Sequence, residues 1–237
     1  MEILAIAQKS DVGQPDRAAV RSEFGVDSEC TLLGTGGLLH PGKGLDDIVS
    51  WFLCKVHDPS IHLLCSVVPG EDGETERSVR QRWEKLAGTT SSPRLHIHMG
   101  DYGEWDWMCS FYRAIDVMLI NSVSDSWGRM VSEAVGFRVP TLVRRAHCAT
   151  NHIFPDIALV NEFADLSLDE FESAVRKARE NASFLCEYAH RFYGCSVVRD
   201  QLIDLLRTLT PSDRLGEFSR ISQQPRSLDL LDRLMDH

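Results

Sequence analysis

The chain has 237 residues, 43% hydrophobic and 25% charged, enough apolar material for a packed core and unlike the profile of a disordered chain. Its 35 acids against 25 Lys and Arg give a net charge of -10, which excludes a general nucleic-acid binder, because neutralising phosphates needs a Lys/Arg face. No run reaches the ~18 to 20 apolar residues of a membrane helix, and the start MEILAIAQKSD lacks a basic region followed by a long apolar stretch. The expectation is a cytoplasmic protein without a transmembrane segment.

Residues 2 to 7 read as an edge strand or the remnant of something longer, and QPDRAAVRSEFG as a short helix ending at Gly25. From residue 31 short apolar runs alternate with amphipathic stretches, the pattern of βαβ units and a mainly parallel sheet. The runs predict strands at 31–34, 62–67, 95–99, 116–120, 141–143 and 158–160. Helices are predicted at 46–55, 75–86, 105–113, 127–137 and 169–192. Ile48, Trp51, Phe52 and Val56 form an apolar stripe, as do Val79, Trp83 and Leu86, and both stripes should face the sheet.

The seven cysteines include no CxxC pair, which points to buried thiols and not to a disulfide or zinc framework. His96 and His98 share one face of a strand, but no further ligand stands in a recognisable metal motif, so they read as packed or solvated residues. Beyond Pro211 the chain is polar until SLDLLDRLMDH, where Leu228, Leu231 and Leu234 suggest a helix that needs a partner surface.

Two stretches carry chemistry. In GTGGLLHPGKGLDD, a glycine-rich turn between strand and helix lets backbone approach an anion, and Lys43 supplies positive charge. The spacing matches neither GxGxxG nor a Walker loop, which argues against a dinucleotide or ATP enzyme. In NSVSDSWGRMVSEAVGFRVPTLV, a loop carries Asp125, a helix opens near Trp127 and Gly128, and Glu133 follows Asp125 by eight residues. Helix N-terminal amides attract anions. Taken alone, Asp125 or Ser126 reads first as an N-cap and Glu133 as a solvated helix residue. Both stretches sit at strand-to-helix junctions on the carboxyl edge of the sheet, where open α/β sheets bind ligands.

At this point the chain resembles the retaining GT-B glycosyltransferases with an acid-x7-acid signature (glycosyl transferases group 1 type), over roughly residues 11 to 209. The resemblance implies a Rossmann-like parallel sheet with helices on both faces, the C-terminal, donor-binding half of a GT-B fold. It divides the chain into an N-terminal segment and entering helix (1–27), a nucleotide-sugar-binding domain (28–209) and a tail with a short amphipathic helix (210–237). By the same resemblance Lys43 contacts the donor diphosphate, Asp125 the hydroxyls of the transferred sugar and Glu133 the ribose. Gly37 and the backbone of Trp127, Gly128, Arg129 and Met130 lie near sugar and phosphate.

The implied chemistry is hexosyl transfer from a nucleoside-diphosphate sugar with retention and without metal or other cofactor. A lysine and a helix N-terminus stabilise the leaving diphosphate, and carboxylates accept hydrogen bonds from sugar hydroxyls. The implied partner is a separate acceptor-binding Rossmann domain. Departures from the family pattern are Leu38 in place of an arginine, Asp125 in place of glutamate, Arg138 in place of a glycine, and His147, Cys148 and Asn151 in place of two glycines and a glutamate. Arg129 either compensates for the missing arginine or forms a surface ion pair. The alternative function is a non-catalytic interaction or regulatory module descended from such a domain.

Overall fold

The strand TLLGTGGL opens on the apolar pair Leu32 and Leu33 and carries glycines toward its end, and it runs as one continuous strand, β1 (Thr31–Leu38). The computed structural model describes residues 17–70, 73–89, 92–101, 104–123, 128–146, 153–193 and Asp200. Before β1 comes α1 (Arg17–Glu23). After it come α2 (Leu45–Lys55), β2 (Ile61–Val68), α3 (Glu76–Leu86), β3 (Leu95–Met99), α4 (Trp105–Ala114) and β4 (Val117–Ile120). Then follow α5 (Arg129–Gly136), β5 (Thr141–Arg144), β6 (Ala158–Val160) and α6 (Leu168–Tyr193). The chain separates into two compact units, Met1–Gly194 and Cys195–His237. All elements named here belong to the first.

The six strands lie in the order β3-β2-β1-β4-β5-β6, and every neighbouring pair is parallel. This is the doubly wound arrangement, in which the chain moves outward from β1 to β3 and then returns to β4 on the other side of β1. The predicted parallel α/β fold is therefore observed. Right-handed crossovers place α2 and α3 on one face of the sheet and α4 and α5 on the other.

Alternation along the strands decides which side chains meet which layer. Leu33, Leu63, Cys65, Val67, Val117 and Leu119 join Ile48, Trp51, Phe52, Val79 and Trp83 in one core cluster. The predicted stripes of α2 and α3 do face the sheet, except that Leu86, the last residue of α3, is 55% exposed. Helix α6 ties the two layers together. Its Phe171, Val175 and Ala178 join the Trp51 cluster, while its Cys186 thiol donates to the Gly136 carbonyl at the end of α5 at 3.4 Å.

At the amino edge, the buried Arg21 of α1 donates to the carbonyls of Ala114, Asp27 and Cys30 and to Asp116. Asp116 in turn accepts from the Leu32 amide at 2.7 Å and from Arg17 at 2.5 Å. One buried guanidinium thus fastens α1 to the ends of β1 and α4.

Three helices end in the same hydrogen-bonded motif, the 6→1 and 5→2 pair that closes a helix around a left-handed residue. In α1 the bonds run from Val26 to Arg21 and from Gly25 to Ser22, and in α3 from Thr89 to Glu84 and from Gly88 to Lys85. In α5 they run from Val139 to Ala134 and from Arg138 to Val135. Gly25 and Gly88 hold φ of 64° and 66°, natural for glycine, whereas the third left-handed position is Arg138 with φ of 59°. A side chain there costs about 1 kcal/mol.

Beyond residue 38 the short strand and helix boundaries differ little from those expected. β1 extends four residues past the predicted Gly34 because its glycines continue the ladder, pairing Gly36 with Ser66 and Gly37 with Val67. The predicted strand at 2–7, the tail helix with Leu228, Leu231 and Leu234, and the boundary at 209 lie outside the described residues. Among the described residues no helix is long and apolar enough to cross a membrane.

Cys65, Cys109 and Cys186 are buried thiols, Cys30 is half-buried and Cys54 exposed. His96 packs edge to edge with His62, Nε2 to Nδ1 at 2.9 Å, and burial lowers its pKa to about 4. His98 stacks on Trp107 with ring centroids 3.7 Å apart.

Candidate functional site at the switch point of the sheet

The crevice lies where the strand order reverses, between the carboxyl ends of β1 and β4. On the β1 side the backbone is stripped of side chains. A Cβ on Gly36 would stand 2.2 Å from the Ser66 carbonyl oxygen and 3.0 Å from Met130 Cε, and Gly37 has φ of 123° with Met130 Sδ 3.8 Å from its Cβ position. After Leu39 comes a single 3-10 turn, Pro41–Lys43, capped by His40, whose Nδ1 accepts from the Gly42 amide at 3.0 Å. Proline at the first position suits its fixed φ and missing N–H. The turn closes on Gly44, φ 62°, from which α2 starts. Lys43, half-buried, is thus carried by a short rigid turn at the mouth of the crevice.

On the β4 side, Asn121, Ser122 and Val123 bind this turn directly. The Asn121 amide, 1% exposed, donates to the Gly44 carbonyl and to Asp47 Oδ2, each at 3.0 Å. Ser122 Oγ and the Val123 amide both donate to the Gly42 carbonyl, at 3.3 and 3.0 Å. A Cβ on Gly44 would lie 2.5 Å from Asn121 Nδ2, so this close seam requires glycine both for space and for its φ. The two motif stretches, some eighty residues apart in the chain, are one hydrogen-bonded structure.

The second stretch continues to Gly128, φ 66°, which caps α5 without a side chain. Asp125 and Trp127 lie outside the described residues. Helix α5 starts at Arg129, two residues later than predicted, because Gly128 in the left-handed region makes the bend. From this helix Met130 reaches back to Gly36 and Gly37.

Glu133 is not a solvated helix residue: it is 2% exposed, in the wedge between α4 and α5. Its Oε2 accepts from the buried Tyr112 hydroxyl at 2.7 Å, and its Oε1 lies 3.6 Å from Arg129 Nε but has no hydrogen-bond partner among the described residues. Burial raises its pKa from 4.5 to about 6, against the lowering effects of the Tyr112 hydrogen bond and the Arg129 charge. Burial likewise raises Tyr112 well above the ordinary tyrosine range, with Glu133 adding to it. Of the two readings of Arg129, the ion pair is observed, but with a buried partner. Its own side chain is 52% exposed and its Cζ lies 5.7 Å from the Trp105 ring centroid.

Comparison with solved structures gives the fold a precedent. The C-terminal domain of a glycosyl transferase group 1 family protein from Francisella tularensis superposes with a TM-score of 0.60 at 17% identity, covering 78% of this chain and 98% of that one. Anabaena HepE in complex with UDP gives 0.66 at 16% identity, covering 85% of this chain and 55% of that one. A glycosyltransferase from Rickettsia africae gives 0.65 at 13% identity, with 88% and 56% covered. The fold is that of a GT-B-type Rossmann-like domain. No family model and no curated protein matches the sequence. The chain spans about half the length of HepE and of the Rickettsia protein.

In this GT-B-type domain, the seam residues Asn121 and Ser122 and the buried Tyr112 are site components that sequence reasoning did not single out. Asn121 and Ser122 stood in the quoted motif, and their signal was two polar residues directly after an all-apolar strand. Tyr112 gave no such signal, since an aromatic in an amphipathic helix reads as core. Leu38, at the expected arginine position, is the last residue of β1 and adds no charge. His147, Cys148 and Asn151 fall outside the described residues.

Proposed function

We propose that this domain binds a nucleoside-diphosphate sugar and serves as the donor half of a retaining glycosyltransferase that uses no metal. The observation that carries this reading is the seam at the switch point: a glycine-lined strand end bearing Lys43 is fixed by Asn121, Ser122 and Val123 to the segment that leads into α5. Gly37 leaves bare backbone for a ligand to lie on, Lys43 offers a charge for the diphosphate, and the α5 start offers amides.

Glu133 Oε1 is a buried acceptor whose missing partner a ribose hydroxyl would supply. Asp125 would accept from the sugar hydroxyls, while Trp127, Gly128, Arg129 and Met130 would line sugar and phosphate. With front-face departure of the diphosphate, the lysine and helix start stabilise the charge that develops on the leaving group. The acceptor would sit on a second Rossmann domain, in keeping with a chain that spans about half the length of the larger chains it matches.

Calorimetric titration with UDP, GDP and their glucose or mannose derivatives tests this. Saturable binding is expected, weakened roughly 10-fold or more by Lys43→Ala, the loss of one charge-assisted hydrogen bond. Absence of saturation at millimolar ligand, or affinities unchanged by both Lys43→Ala and Glu133→Gln, would overturn it. One observation favours a second reading, a non-catalytic descendant: both Glu133 oxygens already face the chain's own Tyr112 and Arg129, and Leu38 brings no charge. That reading expects no nucleotide binding at all.

A further inference from the structure

A second concave site lies at the opposite, amino edge of the sheet, where the carboxyl ends of α4 and α5 meet the second half of α6. It is a cavity of about 670 Å³ lined by Arg113, Arg138, His190 and Arg191, with Glu187 as the one acid and the buried Cys186 at its wall. In a chain of net charge -10, three arginines and a histidine around one cavity are a local reversal of sign.

Cations gather at helix carboxyl ends simply to complement the helix dipole, and Arg113, His190 and Arg191 all stand in last turns. That explanation does not reach Arg138. The same helix-ending motif occurs in α1 and α3 with glycine at the left-handed position, and only in α5 is a large side chain held there, φ 59°. Arg138 is exposed and stands in a left-handed position that glycine would fill without strain. Elsewhere on α6, Phe184 and Phe192 are 49% and 46% exposed, Tyr188 lies between them, and Arg191 Cζ stands 5.4 Å from the Phe192 ring centroid.

We propose that this cleft binds a phosphate monoester group, with the Arg138 and Arg191 guanidiniums as its ligands. Guanidinium forks match phosphate oxygens bidentately, and a dianion offsets the net positive charge that remains after Glu187. The phosphate can be carried by a soluble metabolite or by a lipid headgroup, the second being suited to the exposed aromatics of α6. This site is separate from the switch-point crevice and does not rest on the proposed function.

The test uses the full chain carrying Lys43→Ala, which removes the crevice lysine, titrated with inorganic phosphate and followed by NMR of the arginine side chains. Saturable binding is expected. Arg138→Gly should weaken it roughly 10-fold or more while the melting temperature holds or rises, because glycine relieves the backbone, and Arg191→Gln should weaken it as well. Failure to saturate at millimolar phosphate, or an affinity unchanged by Arg138→Gly in a folded variant, overturns the proposal. Co-sedimentation with phosphatidylcholine vesicles containing phosphatidic acid, but not with phosphatidylcholine alone, assigns the phosphate to a lipid. Phosphate binding without vesicle binding assigns it to a soluble ligand. Nucleotide affinity at the crevice of the unmodified chain should not respond to Arg138→Gly, so the two readings fail independently.

Discussion

Glu133 shows how burial sets the charge of a single residue. Its pKa in the folded chain is raised to about 6 from 4.5, chiefly by burial, so the fold prefers the protonated form. A raised carboxyl leaves stability undiminished below about pH 4.5 and costs stability as pH climbs through 6. The full cost above that window is about 2 kcal/mol. Glu133→Gln keeps an oxygen for the Tyr112 hydroxyl and removes the charge. Its advantage in unfolding free energy over the parent chain should therefore be near zero at pH 4.5 and grow to about 2 kcal/mol at pH 8. Chemical denaturation across that range measures it, and a difference independent of pH would sink the account. Tyr112→Phe removes the one hydrogen bond to Glu133 that favours ionisation, so the carboxyl should titrate higher still, visible by NMR of the side chain. None of this burial was legible at position 133, because a glutamate in an amphipathic helix has the same pattern whether it points to water or to a tyrosine one helix away. The turn that carries Lys43 and the helix start at Gly128 were legible, because glycines between an apolar strand and an amphipathic helix mark such junctions.

Among the elements, those with strong periodicity were the ones readable in advance: β3 and β6 coincide with their predicted spans, and the α2 stripe of Ile48, Trp51 and Phe52 is buried as its spacing requires. The end of β1 was misjudged, since glycine marks a turn in most contexts, yet here it continues the ladder to Leu38 so that another backbone can come close. That closeness is testable. Gly36→Ala drives a methyl group into the Ser66 carbonyl oxygen, a backbone atom held by the β1–β2 ladder, and should cost roughly 3 kcal/mol in denaturant unfolding. A cost under half of that would mean the two strands can part. The seam between the β1 turn and β4 answers to Asn121→Ala, which leaves the buried Gly44 carbonyl without its side-chain donor. The expected loss is about 1–3 kcal/mol, together with faster amide exchange in the Gly42–Gly44 turn. The latch on α1 was invisible beforehand, because an arginine in a short polar helix carries no sign that three carbonyls and a carboxylate will converge on it. Arg21→Ala uncovers all four and should cost about 3–5 kcal/mol, read from the same denaturation curves.

For the molecule as a whole, the alternation of strand and helix implied a parallel sheet, but not the order in which its strands lie. Placing β4 beside β1 depends on side-chain partners such as Thr35, whose hydroxyl reaches the Leu119 carbonyl at 2.9 Å, and on Asp116 accepting the Leu32 amide, neither of which periodicity encodes. That reversal creates the crevice, so a ligand held there bridges the two halves of the sheet and binds only when both are folded. Binding must then appear as stability. A nucleoside diphosphate at a hundredfold excess over its dissociation constant should raise the unfolding free energy by about 2.7 kcal/mol. For a chain of this size that corresponds to roughly 5 to 10 °C in melting temperature. Lys43→Ala, compared with its own ligand-free melting temperature, should abolish most of the ligand-induced rise. A rise of equal size in both proteins would place the nucleotide away from the switch point. No rise in either, with Glu133→Gln gaining its stability above pH 6 as argued, would leave a folded domain whose buried carboxylate serves something other than a nucleotide.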